Sequence, residues 1–265
     1  MTINPSSILK DLEKIRENAP LVHNITNYVV MNTTANALLA LGASPVMAHA
    51  VPEVEEMTGI AGALVINIGT LSDTWIEAMF KAAGKASLEQ IPIIFDPVGV
   101  GATQYRTQTA RKLIQTSSPS IIRGNGSEII ALCQKDHRTK GVDSTNASDQ
   151  AVDSAKSLAR EFDCAVCITG EIDYIVSQSG IIQVKNGHAM MPRVTGLGCT
   201  ATALCGAFAA VNHTFDEAAA HAMAVMGIAG EMAAKNAPGP GTLQVNFIDA
   251  LYQLSETHIK ELFSD

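Results

Sequence analysis

The chain has 265 residues, 47% of them hydrophobic and 17% charged, and it carries a formal net charge of -8. An acidic balance of this size argues against nucleic acid or an anionic membrane surface as the main partner. No stretch approaches 18 uncharged apolar residues and no apolar run precedes a cleavage site near the start, so we predict a cytoplasmic protein without a membrane span. The five cysteines, an odd number in mostly apolar surroundings, are typical of a reducing compartment.

The first two thirds of the chain alternate between helical and extended patterns. Amphipathic spacing predicts helices over residues 6–17, 28–41 and 52–61. A short strand is predicted over residues 44–48. Apolar runs rich in Val and Ile predict buried parallel strands over residues 63–68, 91–95, 120–123 and 164–169. Helix-sized segments lie between these runs, as the connections of parallel strands require.

The last third of the chain follows a different pattern. Two extended runs, residues 174–177 and 181–184, flank a Ser-Gly turn and predict an antiparallel hairpin. Helical patterns then cover residues 199–211, 215–235 and 243–261. No low-complexity linker, charge block or internal repeat divides the chain. We therefore expect one α/β domain over residues 1–265, with a central, mostly parallel sheet flanked by helices and a helical C-terminal third.

Glycine-rich and polar segments directly follow the predicted strands, where open α/β sheets bind their ligands. Asp96 and Glu128 follow two of these strands. Two carboxylates there could hold Mg²⁺ together with water and substrate phosphates. Asp96 could equally form an Asp-Pro turn, and Glu128 could be a first-turn acid that the helix dipole favours.

Arg123 ends an apolar strand at the same predicted edge of the sheet. An acidic protein that binds a nucleotide must place its positive groups locally, and a guanidinium suits a phosphate. The other interpretation is a salt bridge with a neighbouring acid.

The sharpest motif is Thr195-Gly-Leu-Gly-Cys-Thr200, which runs straight into a helix of small residues. Glycines at a helix N-terminus let free backbone N–H groups approach an anion closely. The motif also fits the dinucleotide pattern G-x-G-x-x-A, but only helices follow it, and no Walker A sequence occurs in the chain. We interpret it as a phosphate-binding turn that works without a lysine.

A Cys-x-x-Cys pair, Cys164 and Cys167, lies inside an apolar run. A redox pair would normally open a helix, so we interpret these residues as buried strand cysteines.

These motifs together resemble the hydroxyethylthiazole kinase family of the ribokinase-like superfamily. Asn125-x-x-Glu128 is similar to the magnesium-associated motif of the wider superfamily. Cys199 stands where that superfamily usually has Asp, and a cysteine there is itself typical of thiazole kinases. The matching segments span roughly residues 20–246 and are His23-Asn-Ile-Thr-Asn-Tyr-Val29, Met47-Ala48, Asp96-Pro-Val-Gly-Val-Gly-Ala102, Arg123-Gly-Asn-Gly-Ser-Glu128 and Thr195-Gly-Leu-Gly-Cys199.

The resemblance implies a three-layer ribokinase-like fold and ATP-dependent phosphorylation of the primary hydroxyl of 4-methyl-5-(2-hydroxyethyl)thiazole, in thiamin biosynthesis or salvage. It also implies a homotrimer with active sites near the subunit boundaries. The residues that it assigns to the thiazole alcohol are Met47, Gly196 and Asn27; to ATP, Arg123, Thr169 and Gly198; to Mg²⁺, Glu128 and Asp96; and to the catalytic base, Cys199.

Two other functions are compatible with the same fold. A lyase of the nucleotide-hydrate dehydratase type keeps an Asp in the glycine motif, so Cys199 counts against it. A catalytically silent ligand binder is the second alternative, and the intact Arg123 and Glu128 count against it.

The pKa of Cys199 should be lowered, because its thiol lies at the N-terminus of a predicted helix. The other interpretation is that Cys199 packs as a small hydrophobic residue.

Overall fold

The computed structural model describes residues 2–134 and 144–264 of the chain. Its strands are β1 Leu21–Ile25, β2 Ser44–Val46, β3 Ala63–Asn67, β4 Ile93–Asp96, β5 Ile121–Asn125, β6 Ala165–Thr169, β7 Asp173–Ser177 and β8 Gly180–Val184. They form one sheet in the order β2-β1-β3-β4-β5-β6-β7-β8. Strands β1 to β6 pair in parallel, whereas β7 and β8 pair antiparallel. This confirms the mostly parallel sheet and the terminal hairpin.

Helices connect the strands and cover the sheet. They are α1 Pro5–Asn18, α2 Met31–Leu41, α3 Val54–Gly59, α4 Asp73–Leu88, α5 Gln104–Ser117, α6 Gly126–Cys133, α7 Ser144–Phe162, α8 Leu197–Ala209, α9 Phe215–Ala234, α10 Pro240–Gln253 and α11 Glu256–Leu262, with a 3-10 turn at Met191–Arg193. None of the helices in the described part of the chain is long and apolar enough to cross a membrane.

The sheet has a hydrophobic core on each of its two faces. Helices α1, α2 and α8 to α11 contribute to the core that contains Val65 and Phe208. Helices α3 to α7 contribute to the other, which contains Leu64 and Phe95. Consecutive residues of β3 thus enter opposite cores, because side chains alternate across a strand. Burial on both faces explains why the parallel strands read as continuous apolar runs.

Helix α8 lies across the middle of the sheet, against β1, β3, β4 and β5. All but two of its residues are buried, which agrees with the apolar helix that the sequence predicts after the glycine motif. Its N-terminus lies on the side of the sheet where the parallel strands end. The helix is therefore part of the core on one face of the sheet, and its N-terminus lies near the ends of the four strands that it contacts.

Helix α1 is tied to the body of the protein by a buried cluster that we call the Asp11 network. Asp11 Oδ2 accepts a hydrogen bond from Asn212 Nδ2 at 2.7 Å and lies 2.9 Å from His221 Nδ1. Its Oδ1 pairs with Lys14 Nζ at 2.9 Å. His221 Nε2 lies 3.0 Å from Ser7 Oγ. The network links α1 to α9 and to the turn before it.

The structure differs from the prediction in three main places. Strand β1 is missing from the prediction because His23 and Asn24 interrupt its apolar run, although both are buried. Helix α2 begins at Met31, after a turn at residues 28–30. The predicted helix over residues 243–261 is divided in two, because Ser255 caps a new helix by accepting a hydrogen bond from the backbone of His258.

Candidate active site

The parallel strands end on one side of the sheet, which we call the carboxyl rim. Asn67, Asp96, Asn125 and Thr169 are the last residues of β3, β4, β5 and β6, so they share this rim. Asn27 follows β1 by two residues. The N-terminus of α8 meets the same rim. The structure therefore brings most of the predicted site residues to one place, as the carboxyl-end rule predicts.

Arg123 is almost completely shielded from solvent, since only 9% of the residue is exposed. Its Nη2 donates to Thr169 Oγ1 at 2.8 Å, while its Nε is buried and has no hydrogen-bond partner. In the described residues no ion pair includes Arg123. Burial alone would lower its pKa, but the nearby charge of Asp96, with smaller contributions from other groups, raises that pKa above its ordinary value. Arg123 is thus a buried positive charge whose Nε has no hydrogen-bond partner within the described residues.

Two glycines shape the start of α8 beside this cation. Gly196 is the N-cap of the helix with a left-handed φ of 88°, and a Cβ on it would lie 2.8 Å from Val30 Cγ1. A Cβ on Gly198 would lie 3.1 Å from Arg123 Nη1. The first position needs glycine for its backbone conformation, and the second lets the guanidinium approach the first turn of the helix. Free backbone N–H groups and the guanidinium therefore converge where an anion can bind.

Asp96 is the centre of a buried cluster that we call the Asp96 network. Its Oδ2 accepts hydrogen bonds from Asn67 Nδ2 and from Thr202 Oγ1, both at 2.7 Å. Only 1% of Asp96 is exposed. Burial raises its pKa to about 6, and the charge of Arg123 and the two hydrogen bonds only partly offset that effect. This carboxylate is held at a cost in solvation, which is common at functional sites.

The Asp96 network continues to Cys199 through two amides. Asn27 Nδ2 donates to Asn67 Oδ1 at 2.9 Å and to Cys199 Sγ at 3.4 Å. Cys199 is the third residue of α8, in its first turn, and it is half-buried. The predicted acceptor-binding amide and the predicted base are therefore in contact.

The expectation of a lowered pKa at Cys199 is wrong. Burial and the negative charge of Asp96 raise the pKa of this thiol above its ordinary value. Hydrogen bonds from Asn67 and Asn27, and the charge of Arg123, oppose the rise without cancelling it. Loss of hydration is the largest of these effects on the pKa of Cys199. Cys199 is therefore a thiol at neutral pH.

Glu128 is the first-turn acid that the sequence allows, and its carboxylate also reaches the loop that follows Asp96. It is the third residue of α6, and its Oε2 accepts from the backbone N–H of Asn125 at 2.9 Å, which closes a capping box. Its Oε1 accepts from Gly99 N at 2.9 Å, in the loop that follows Asp96. The negative charge of Glu128 contributes to the raised pKa of Asp96. Glu128 is thus a helix cap that also faces the site.

Met47 lies at the carboxyl rim one residue after β2, the edge strand of the sheet, and is half-buried. Its carbonyl oxygen lies 3.1 Å from His49 Nδ1. Within the described residues, no hydrogen bond links the Met47 side chain to the Asp96 network.

The cysteines of the Cys-x-x-Cys pair lie in and next to β6, and burial raises the pKa of Cys164 to about 12. The prediction of buried strand cysteines is therefore confirmed.

Four residues of the rim escaped the sequence interpretation. Asn67 and Thr202 bind Asp96, and Asp173 is a buried acid whose Oδ1 accepts from Gly170 N at 3.0 Å. Arg106 donates to the carbonyl oxygens of Ile68, Gly69 and Val98, and so clamps the loops after β3 and β4. Asn67 had a detectable signal, since it is a polar residue at the end of an apolar run. Thr202 and Arg106 lie within helices and carry no such signal.

The side chains present fit a magnesium ion that is held mostly by water and phosphate. Asp96 and Glu128 supply carboxylate oxygens, the ligand type that Mg²⁺ prefers. No cluster of three or more His, Cys, Asp or Glu side chains suited to a metal occurs within residues 2–134 and 144–264. A cage made only of protein ligands is therefore not formed by this part of the chain.

Comparisons with known proteins show which family the chain is similar to. The model of the hydroxyethylthiazole kinase family matches residues 12–257. The hydroxyethylthiazole kinase of Syntrophus aciditrophicus (strain SB) is 62% identical over 260 residues, which cover 98% of this chain and 96% of that protein. The solved hydroxyethylthiazole kinase structure from Pyrococcus horikoshii OT3 has a TM-score of 0.90 at 43% identity and 98% coverage of both chains.

A ribokinase-like superfamily protein from Enterococcus faecalis V583 shares the fold alone, with a TM-score of 0.65 at 15% identity and coverage of 98% of this chain and 95% of that one. The sheet and its helical layers thus have the ribokinase-like fold, and the relatives of high identity place the chain among kinases. Within that class, the chain belongs to the hydroxyethylthiazole kinase family.

Proposed function

We propose that the chain, as a single domain, transfers the γ-phosphoryl group of ATP to the primary hydroxyl of 4-methyl-5-(2-hydroxyethyl)thiazole, in thiamin biosynthesis or salvage. The observation that carries this proposal is the corner formed by Arg123, Thr169 and Gly198. A buried guanidinium with an unpaired N–H beside the glycine-rich start of a helix suits a phosphate group. Membership in the family supplies the identity of the acceptor.

The transfer forms a bond between the acceptor oxygen and the γ-phosphorus and breaks the bond from that phosphorus to the bridging oxygen of ADP. ADP leaves with the electron pair of the broken bond. Arg123 and the backbone N–H groups at Gly198 stabilise the charge on the moving phosphoryl group. Thr169 orients the guanidinium through their hydrogen bond.

Cys199 is the residue that we assign to the hydroxyl proton of the acceptor. Phosphoryl transfer is largely dissociative, so that proton leaves late and a base of small population is sufficient. Asn27, through its bond to Cys199, and Gly196, at the start of the same helix, would contact the thiazole alcohol. Met47 would contact its ring from the end of β2.

Glu128 and Asp96 are the residues that would hold Mg²⁺, directly or through water. A magnesium ion held there would supply positive charge against the negative charge that develops on the phosphates. Glu128 is oriented by the backbone of Gly99 and Asn125, so its carboxylate stays near the loop that follows Asp96.

A coupled assay of ADP release tests the proposed reaction with three acceptors: the thiazole alcohol, a pyrimidine alcohol and ribose. We expect turnover with the thiazole alcohol far above the other two. Arg123→Met should raise the KM for ATP at least tenfold, whereas Arg160→Met, at an exposed arginine of α7, should leave it unchanged. Release of ADP with none of the acceptors would favour the silent ligand binder, and dehydration of a nucleotide hydrate would favour the lyase.

We propose further that the protein is a cytoplasmic homotrimer whose active sites lie near the subunit boundaries. The family resemblance supports this assembly, and the apolar helices of the C-terminal third are compatible with it. Light scattering at micromolar concentration tests it. A fully active monomer near 27.9 kDa would contradict the trimer.

A further inference from the structure

Asp96 is held by two donors that come from different elements of the fold. Asn67 Nδ2 donates from the end of β3, and Thr202 Oγ1 donates from the second turn of α8. Both bonds fall on the same oxygen, Oδ2. Within the described residues no side-chain hydrogen bond is made to Oδ1, which leaves that oxygen with its full acceptor capacity. The arrangement anchors one oxygen of the carboxylate and leaves the other without a side-chain donor.

The amide of Asn67 has only one orientation that satisfies its surroundings. The backbone N–H of Gly69 donates to Asn67 Oδ1 at 2.9 Å, so the amide nitrogen must face Asp96. Asn27 is fixed in the same way, because Val29 N donates to its Oδ1 at 3.1 Å. The adjacent strands β1 and β3 are thus followed by turns of the same type. In each turn, an asparagine side-chain oxygen accepts a hydrogen bond from the backbone N–H two residues later in the chain.

The two oriented amides form a directed chain. Asn27 Nδ2 donates to Asn67 Oδ1 and to Cys199 Sγ, and Asn67 donates onward to Asp96. Of the four side chains in this hydrogen-bonded series, those of Asn27, Asn67 and Asp96 are buried and that of Cys199 is half-buried. Displacing one member would therefore leave a buried polar atom without a partner or force its neighbour to rotate.

We propose that Asn67 and Thr202 are positioning residues that fix the carboxylate of Asp96 in its reactive rotamer, and that Asn67 also couples this carboxylate to Cys199. Neither residue touches a reacting atom. Their effect on the reaction passes through Asp96, and it rests on the phosphoryl transfer proposed above. The role therefore concerns the rate of transfer more than the binding of ground-state substrates.

Substitutions at Thr202 separate positioning from a merely structural role. Thr202→Val keeps the shape of the side chain and removes the donor, whereas Thr202→Ser keeps the donor and removes a methyl group from a buried site. A positioning role predicts that the Val variant loses at least tenfold in kcat with both KM values within threefold, and that the Ser variant stays within threefold in kcat. A merely structural role predicts that both variants lose stability, the Val variant through a lost donor and the Ser variant through a cavity, while the kcat of the folded protein stays within threefold in each.

Asn67→Asp provides the second test. It keeps the oxygen that Gly69 and Asn27 require and replaces the donor by an acceptor facing Asp96. We expect a larger loss of kcat than in Thr202→Val. Thr34→Val is the matched control, since the hydroxyl of this buried threonine lies 3.5 Å from that of Thr200 and outside the Asp96 network. Its kcat should remain within twofold of the wild type.

The outcomes distinguish this proposal from the one on which it rests. Melting temperatures measured on the same samples should show that both Thr202 variants are folded at the assay temperature, so that their kcat values compare folded proteins. Wild-type turnover of the thiazole alcohol with unchanged kcat in Thr202→Val or in Asn67→Asp would overturn the positioning role alone. An inactive wild-type enzyme would overturn the proposed function and this inference together.

Discussion

The Asp11 network and the Asp96 network are both buried polar clusters built around one aspartate, yet their electrostatics differ. Burial would raise the pKa of Asp11, but hydrogen bonds from His221, Lys14 and Asn212 outweigh it and lower that pKa to about 2. Burial dominates at Asp96 and raises its pKa to about 6. The hydrogen bonds to Asp11 stabilise its charged form, so this carboxylate stabilises the fold. The charged form of Asp96 is not fully stabilised by its neighbours, which is common at functional sites, where a bound cation can supply the compensating charge.

The Asp11 network also shows why side-chain geometry alone does not identify a catalytic site. Ser7, His221 and Asp11 lie in a hydrogen-bonded row with the spacing of a hydrolase triad. Yet the Ser7 hydroxyl donates to the carbonyl oxygen of Asn4 at 2.8 Å, and its Oγ accepts from the backbone N–H of Asn4 at 3.1 Å, which closes the capping box of α1. Its proton is committed to a helix cap. At the carboxyl rim, by contrast, the Nε of Arg123 is buried without a partner.

The largest effect is expected from Asp11→Asn, which removes a buried carboxylate charge held by Lys14, Asn212 and His221. We expect the free energy of unfolding to fall by about 3 kcal/mol, with kcat of the folded protein unchanged within twofold. Urea unfolding and steady-state kinetics measure the two quantities. Asp153→Asn is the control, because its pair with Lys156 is exposed and contributes less than about 1 kcal/mol. A large loss of kcat in Asp11→Asn would remove the distinction between the two networks.

Glu128→Gln should reduce kcat roughly 100-fold, by loss of a charge at the metal and phosphate site. The KM for the thiazole alcohol should stay within threefold, because ground-state binding of the acceptor does not use this carboxylate. The melting temperature should fall modestly, since glutamine keeps one acceptor oxygen for the capping box and loses the bond from the backbone N–H of Gly99. Wild-type kcat in this variant at saturating Mg²⁺ would exclude Glu128 from the metal role.

The stability of the two regions should respond to pH in opposite directions. The contribution of Asp11 is present above pH 4, near its unfolded pKa, and should be lost as the pH falls towards 2, by about 2 kcal/mol. Burial raises the pKa of Asp173 at the rim to about 6, although a bond from Gly170 and the charge of Arg123 oppose it. Its contribution is therefore fully present below about pH 4 and is lost as the pH rises through about 6.

Urea unfolding of Asp173→Asn and of the wild type from pH 4 to 7.5 checks the second arm. The variant should gain stability relative to the wild type as the pH rises, on the order of 1–3 kcal/mol at pH 7.5. A constant difference across this range would show that Asp173 titrates in the folded protein as it does in the unfolded chain.

The smallest effect is expected from Cys199→Ala, which should lose roughly tenfold in kcat, the low end of general acid–base contributions. Cys199→Asp should retain activity or exceed it, because a carboxylate is ionised more readily than a thiol whose pKa is raised. Cys205→Ala, six residues further along α8 and fully buried, should change stability only. Equal kcat in both alanine variants would leave the reaction to the glycine-rich helix start and Mg²⁺.

The sequence was sufficient to predict the sheet and the convergence of Asp96, Arg123 and Cys199, because apolar runs locate parallel strands and strand ends share one rim. It was not sufficient for β1, where polar residues are buried inside a strand. Nor did it predict that Thr202 binds Asp96, since that contact depends on how α8 crosses the sheet. The pKa of Cys199 was mispredicted because a glycine motif indicates a helix start and not its degree of burial.

The position of α8 has a consequence for biosynthesis. The helix packs on β1, β3, β4 and β5, all of which precede it by a long stretch of chain. During synthesis from the N-terminus, these strands leave the ribosome while one face of their sheet still lacks its cover. Pairings between such distant segments also fold slowly. A chain that stalls before residue 197 would therefore present a broad apolar face to the cell, and the late helix that completes the active site also ends that exposure.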